Sequence, residues 1–555
     1  MHETNNSASM EAVSRVERFW VVKVSIVVML LTSLPYLLGY AIQGDALRFS
    51  GFVFAVEDGN SYIAKMLGGA QGAWLFRTPY TPMQQGGVLM FAPYILLGKL
   101  AAFPGMHDQL VALFHLFRIL SGLLFLLATY EFIAFFVNTQ SLRRFGLLLA
   151  GLGGGLGWIL LLAGQSGAFG SLPLEFYSPE TFGFLSLYGV PHLAASRAFL
   201  LWAILIYLRF VKSGELSIAR TAPRAGLCWL AAGLLQPLNA LLVGFILALH
   251  LAVLGLLLLL KSHGGRKPDW RKWQRSFFFV LEAGILPGIL FIYLAWKLSQ
   301  DPFLQAWSSQ NILPSPHPWH YLLAFALLLP YAYAGARRIL NQDRAGGLLL
   351  VGWALALPLL AYLPVNVQRR LPEGQWLVWG ILALVAVEGW WAAPAFQTRI
   401  RRLVVIIPLC FSFISTTVLF AGGLLTVQAK ASPVFRVRDE VAMFEFLADS
   451  GERGCLVVSS FSTGNALPAW APMRVVIGHG PESAGLANLQ EELKWFYNPQ
   501  AGDSWRRDWL ALHGACYLFW GPAEQALGSW DPRQAEYLGM MSQLGEYWLF
   551  EVELE

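Results

Sequence analysis

The sequence predicts an all-α polytopic membrane domain of about eleven transmembrane helices, followed by a small C-terminal α/β domain. Three observations predict it. Of 555 residues, 56% are hydrophobic and only 13% are charged, about half the charge of an ordinary soluble domain. Apolar runs of near-membrane length recur along most of the chain, each able to cross a hydrocarbon core of ~30 Å. The charge is also uneven. Residues 430–555 hold nine Lys or Arg against seventeen Asp or Glu, so the net +5 of the chain leaves +13 on the remainder. Basic residues at membrane ends account for that excess, and no nucleic-acid partner is needed. Disorder, collagen, coiled coil and a small disulfide scaffold are excluded by the same composition.

Residues 1–19 are polar and read as a cytoplasmic N-terminus. The run Trp20–Ile42 is too long for the core of a signal peptide and lacks a small-residue cleavage site, so it is a retained first span. Further spans are expected at 119–137, 145–164, 193–211, 226–240, 242–260, 277–298, 319–335, 346–364, 376–394 and 403–427. The pair 226–240 and 242–260 meets at Gln236-Pro237-Leu238-Asn239 as a tight hairpin. The glycine cluster Gly153–Gly157 falls inside a span, where it permits close helix packing.

Loop charges orient the spans. Arg143 and Arg144, Lys212, Arg220 and Arg224, the run Lys261–Arg275 with Arg266 and Lys267, Arg337, Arg338 and Arg344, and Arg399, Arg401 and Arg402 all fall on one side. The opposite loops 165–192 and 299–318 contain no Lys or Arg. The positive-inside rule then puts the basic loops and the N-terminus in the cytoplasm of a cytoplasmic-membrane protein, with loop 43–118 and the tail outside. Gly87–Pro104 is apolar but short and carries Pro93, Lys99 and Pro104, so it reads as an interfacial helix and not a crossing. The membrane domain is thus 20–427 and the extracytoplasmic α/β domain 428–555.

Within the tail, 438–448 and 482–496 read as helices, and 455–459, 474–477, 515–520 and 547–552 as strands. No GxGxxG, Walker or zinc-ligand spacing is present. Cys228 and Cys410 lie in apolar runs as packing thiols. Cys455 and Cys516 either join as one disulfide in an oxidising compartment or stay as two buried strand thiols.

Polar groups gather in the outer loops. Glu57 and Asp58 are adjacent carboxylates just after the first span, followed by Tyr62, Lys65 and Tyr80. Such carboxylates can serve as a general base or hold a divalent cation, or they are simply solvated acids beside a Gly-Asn turn. Loop 165–192 carries Glu175, Glu180 and His192, where Ser178-Pro179-Glu180 equally suits a helix start. Arg369 and Arg370 are two adjacent arginines on the side otherwise poor in basic residues. They suit bidentate phosphate binding, anionic lipid heads, or pairing with Glu373 and tail acids. Arg118 is a further candidate of the same kind. In the tail, Gly478-His479-Gly480-Pro481-Glu482 reads as a turn, with Glu482 at the start of the following helix.

A first span, an acidic pair in the first outer loop, an interfacial helix, about ten more spans and an outer soluble tail resemble the GT-C superfamily of membrane glycosyltransferases. That superfamily includes protein O-mannosyltransferases, oligosaccharyltransferases and aminoarabinose transferases. The stretches that carry the likeness are EDGNSYIAKMLGGAQGAWLFRTPYT, SPETFGFLSLYGVPHLA, NVQRRLPEGQW, SSFSTGNALPAW and VVIGHGPESAG. They are similar in particular to a bacterial group of glycosyltransferase-like membrane proteins. The family's His-Pro-Pro after the first loop is replaced by Thr78-Pro79-Tyr80-Thr81-Pro82.

The resemblance implies a sugar transferred from a polyprenyl-phosphate donor to an acceptor outside the membrane, by inverting single displacement. It implies Asp58 as catalytic acid residue with Glu57 beside it, and Arg369, Arg370 and Arg118 at the donor phosphate. Glu180, His192 and Glu175 form a second outer polar set, with His479 and Tyr80 as acceptor contacts. A divalent cation (Mg or Mn) on Asp58, Glu180 and His192 is the metal option. The competing class is a transporter or flippase of a lipid-linked or anionic solute, and a third is a membrane scaffold without catalysis. Transporters show inverted repeats and mid-membrane charges. Here no two-half repeat is visible, and Glu131, Lys297 and Glu388 lie near span ends.

Overall fold

The computed structural model describes residues 13–102, 105–263, 269–396 and 398–554. The first twelve residues, Arg266, Lys267 and the expected end of the interfacial helix at Pro104 lie outside the described residues. Among the described residues seven helices are long and apolar enough to cross a membrane: Arg15–Ile42, Met106–Phe136, Pro191–Ser213, Pro237–His263, Trp270–Gln300, Arg344–Tyr362 and Gln368–Ala392. Two bent pairs raise the number to nine if each is one span: Pro318–Phe325 with Leu329–Gln342, bent by 72°, and Arg399–Cys410 with Phe413–Gln428, bent by 43°.

The expected eleven therefore becomes seven to nine, and the two spans without a counterpart are 145–164 and 226–240. The first is broken by its own glycines. The Gln140–Leu152 helix stops at Gly153, and only the single turn Trp158–Leu162 follows. The glycines do serve close approach, but at a break and not within a continuous span. The second corresponds to the Ile218–Leu235 helix, which carries Arg220, Pro223 and Arg224 in its first two turns. The expected hairpin point is present, with Gln236 separating this helix from Pro237–His263. The expected interfacial helix shrinks to the seven residues Ala92–Gly98.

The chain folds into two compact units, residues 1–32, 118–292 and 313–421 in one, and 33–117, 293–312 and 422–555 in the other. The first is helical and is packed around buried large side chains that include Trp353 and Trp376. The second contains all seven strands: β1 Leu47–Phe49, β2 Phe435–Val437, β3 Leu456–Val458, β4 Arg474–Val475, β5 Ala515–Trp520, β6 Leu538–Leu544 and β7 Tyr547–Val552. The last stretch of this unit begins at 422, near the expected boundary at 428, and the unit also takes in two earlier stretches of chain.

β1 and β2 form a two-stranded antiparallel pair, with Leu47 opposite Val437. The others form one sheet in the order β4-β3-β5-β7-β6, parallel from β4 to β5 and antiparallel beyond. The inner strands read LVV and ACYLFW, continuous apolar runs of the kind that parallel strands covered on both faces require. Phe496, Tyr497, Trp509, Leu518 and Phe550 pack over the sheet. Cys455 and Cys516 are joined by a disulfide, 5.7 Å apart at Cα, which ties the start of β3 to that of β5. Of the two readings of these thiols, the bonded one holds.

Candidate functional site: a buried polar chain ending in Asp58

Glu57 and Asp58 do not sit in an irregular loop. They form the first turn of the Val56–Ala70 helix, where negative charge is favoured by the helix dipole. The chain enters this helix through Ala55 in the left-handed region, at φ 50°, a conformation that costs a non-glycine residue about 1–3 kcal/mol and that collects at functional sites. Ala55, Val56, Glu57 and Asp58 line a cleft of about 390 Å³ together with Pro433, His479, Gly480 and Pro481.

A line of polar contacts runs from this cleft into the unit. His479 Nε2 lies 3.1 Å from Asp58 Oδ1, and His479 Nδ1 lies 3.4 Å from Glu482 Oε1. Lys65 Nζ lies 2.6 Å from the same Glu482 oxygen. The Ser61 hydroxyl donates to it at 3.0 Å, and Thr78 donates to Glu482 Oε2. Lys65 also donates to Ser61 Oγ. Side-chain exposure rises along the line, from 1% at Lys65 and 3% at Glu482 through 10% at His479 to 55% at Asp58, so Asp58 is the end that meets solvent. Burial alone pushes the Glu482 carboxyl up, but Lys65, and after it His479, hold it below the usual carboxylate range.

The backbone that carries His479 is clamped. Ser483 Oγ accepts from the N–H of both Gly478 and His479, at 3.0 and 3.2 Å. The turn expected at 478–482 is present, with Glu482 N–H donating to His479 O, and the following helix starts only at Leu486. Gly464 and Gly478 cross so tightly that a Cβ on Gly464 would lie 2.1 Å from Ile477 O. Gly464 belongs to the Phe461–Trp470 helix, which Ser460 caps by accepting from Thr463 N–H. Asn465 of that helix accepts from Asn60 Nδ2 at 2.8 Å and donates to Glu57 O at 3.3 Å. Tyr80, expected at the acceptor, is fully buried. Its hydroxyl donates to Asn465 O, and its ring backs His479 at 5.6 Å. Burial, then Glu482, raises its hydroxyl pKa well above the ordinary value.

In the helical unit the other expected residues divide into two groups. Arg370 Nε lies 3.5 Å from Glu180 Oε1, so this pair is brought together. The Arg369 guanidinium stands over the Tyr177 ring at 4.9 Å. The expected pairing of these arginines with Glu373 is replaced by another: Glu373 is bound by the buried Arg197. Arg197 also donates to the carbonyls of Pro179 and Glu180, both at 2.6 Å. It therefore fastens the Ser178-Pro179-Glu180 loop. Gly374 N–H donates to Glu180 O at 3.0 Å and closes the same arrangement.

Arg118, Glu175 and His192 are enclosed. Arg118 is 1% exposed and donates to Thr32 Oγ1 and Leu187 O, both of its own unit. Glu175 accepts from Gly157 N–H at 2.6 Å and Ser415 Oγ at 3.2 Å, which stitches the glycine break. Burial pushes its carboxyl up. His192 is buried in the first turn of the Pro191–Ser213 helix.

Among the described residues no three His, Cys, Asp or Glu side chains are grouped to hold a metal ion, and the expected set Asp58, Glu180 and His192 forms no such group. Sequence reasoning missed Ser61 and Arg197, and it named Lys65 and Thr78 without giving them a role. Asp58, Ser61 and Lys65 stand at i, i+3 and i+7, one face of a helix, and that spacing was the available signal.

No family model matches the sequence, and no curated protein matches it. Solved structures do share its fold. The arabinofuranosyltransferase AftD from Mycobacteria matches over 98% of this chain and 42% of its own, at TM-score 0.56 and 15% identity. The oligosaccharyltransferase of Archaeoglobus fulgidus, in the apo form, matches over 95% of this chain and 73% of its own, at TM-score 0.53 and 12% identity. ArnT from Cupriavidus metallidurans, bound to undecaprenyl phosphate, matches over 96% and 97%, at TM-score 0.51 and 13% identity. At such identities the likeness is one of fold, and it agrees with the motif resemblance: this chain has the fold of the GT-C membrane glycosyltransferases.

Proposed function

We propose that the protein is a glycosyltransferase that moves a sugar from a polyprenyl-phosphate donor to an acceptor hydroxyl at the outer face of the cytoplasmic membrane. The observation that carries the reading is the Asp58 carboxylate, half-exposed on a cleft large enough for a sugar unit and held by His479. The acceptor oxygen attacks the anomeric carbon, the bond from that carbon to the phosphate oxygen breaks with inversion, and Asp58 takes the acceptor proton. The lipid phosphate leaves with its charge, which Arg370 and Arg369 meet as charge-assisted donors. Glu57 adds to the negative field of the cleft.

ArnT is solved with undecaprenyl phosphate bound, which supports a lipid-phosphate donor for a chain of the same fold. The disulfide supports a tail in an oxidising compartment. The basic loops support a cytoplasmic N-terminus.

The test uses full-length protein in lipid nanodiscs, a panel of undecaprenyl-phosphate-linked hexoses, pentoses and amino sugars, and cell-envelope extract as acceptor. Transfer is expected for one donor class, with Asp58→Asn lowering it about 10²–10⁴-fold at unchanged thermal unfolding. Transfer retained by that variant removes Asp58 from the mechanism. Movement of intact donor across the bilayer without cleavage favours the carrier reading instead.

A further inference from the structure

Among the described residues Lys65 and Glu482 are the most enclosed charged pair of the sheet-bearing unit, and neither lines the cleft. A buried ion pair is weak evidence for stability, because desolvation offsets its attraction. Its placement is more telling. Glu482 cannot swing: Oε2 is taken by Thr78, and Oε1 by Ser61 and Lys65. The Lys65 ammonium is in turn boxed by Phe91 at 4.5 Å and Phe76 at 5.3 Å. The His479 ring stands between this immobile carboxylate, 3.4 Å from its Nδ1, and Asp58, which its Nε2 meets at hydrogen-bond distance, with Tyr80 behind it.

We propose that Lys65 and Glu482 are positioning residues, which hold the His479 ring so that it aims the Asp58 carboxylate into the cleft. A fixed imidazole at hydrogen-bond distance narrows the rotamers open to an acid that is half in solvent. Fixing it before substrate arrives removes the cost of ordering it from the reaction. This inference rests on Asp58 being the base, and its test separates the two.

Diethyl pyrocarbonate acylates free imidazole nitrogen and is read residue by residue by mass spectrometry. The full-length protein in nanodiscs is compared with Glu482→Gln and with the double variant Lys65→Met/Glu482→Gln, which removes both charges at similar volume and so spares folding. Acylation of His479 is expected to rise several-fold in both. His107, buried in the same unit against Trp470, serves as the internal control and is expected to stay at its wild-type rate. In the transfer assay, kcat is expected to fall about tenfold or more with KM for the donor unchanged.

Unchanged His479 acylation overturns the proposal. A parallel rise at His107 also overturns it, because the pair then merely holds the unit together. Wild-type kcat in an active preparation overturns it as well. The acylation comparison needs no substrate, so it stands even if Asp58→Asn leaves transfer intact and the base assignment falls.

Discussion

In the sheet-bearing unit the enclosed pair Lys65–Glu482 leads outward through His479 to a carboxylate. In the helical unit the enclosed pair Arg197–Glu373 leads outward through Glu180 to the guanidinium of Arg370. Both lines begin at near-zero exposure and end at a group open to solvent, 55% for Asp58 and 32% for Arg370. They differ in sign and in the link. One passes through an imidazole ring, a movable side chain. The other passes through backbone carbonyls that Arg197 holds, so an entire loop is fixed with it. The contrast teaches that one buried ion pair can hold a single side chain, whereas another holds a stretch of backbone in shape.

The comparison is most easily broken at its buried ends. Lys65→Met and Arg197→Met each leave a buried carboxylate without its cation, and each is expected to cost about 3–5 kcal/mol. Thermal unfolding in nanodiscs measures both, and a negligible loss in one would show that the two pairs are not equivalent. The disulfide belongs to the sheet-bearing unit alone among the described residues. Cys455→Ser with Cys516→Ser is expected to remove about 2–4 kcal/mol from that unit, and limited proteolysis with and without reductant should show cleavage confined to its segments.

The outer ends are expected to respond more mildly. Arg369→Ala with Arg370→Ala deletes charge-assisted donors of about 1.5–3 kcal/mol each, so titration with undecaprenyl phosphate should show affinity down roughly tenfold or more. Unchanged affinity would end the phosphate assignment. The smallest effect concerns acid. Glu482 is held below its ordinary value in the folded protein, so its contribution is complete above the ordinary carboxylate range. It is lost as the pH falls through the folded value. The acid side of a stability–pH curve should therefore flatten in the Lys65→Met/Glu482→Gln variant, and an unaltered slope would show that the pair carries no such linkage.

Much of this arrangement was legible in the sequence, and the failures have physical causes. Long apolar runs such as 242–260 and 376–394 marked their helices within a few residues, since hydrocarbon length leaves little freedom. The run 145–164 was apolar enough but was cut by glycines whose partners come from distant chain. Asp58 and His479 were both singled out, yet nothing local shows that residues 421 positions apart share a hydrogen bond. Arg118 looked like an outer cation and proved to be an internal strut, because its partners Thr32 and Leu187 lie far off in sequence. Ser61 went unread, and Lys65 was named without its partners, because an outer loop shows no helical face.

The sheet-bearing unit draws on three stretches of chain, and β1 near the beginning finds its only strand neighbour, β2, almost four hundred residues later. During synthesis, then, Leu47–Phe49 must leave the ribosome long before their mate exists. Until Phe435–Val437 follows them, that early strand edge has no pairing partner, and it must be kept from pairing with anything else.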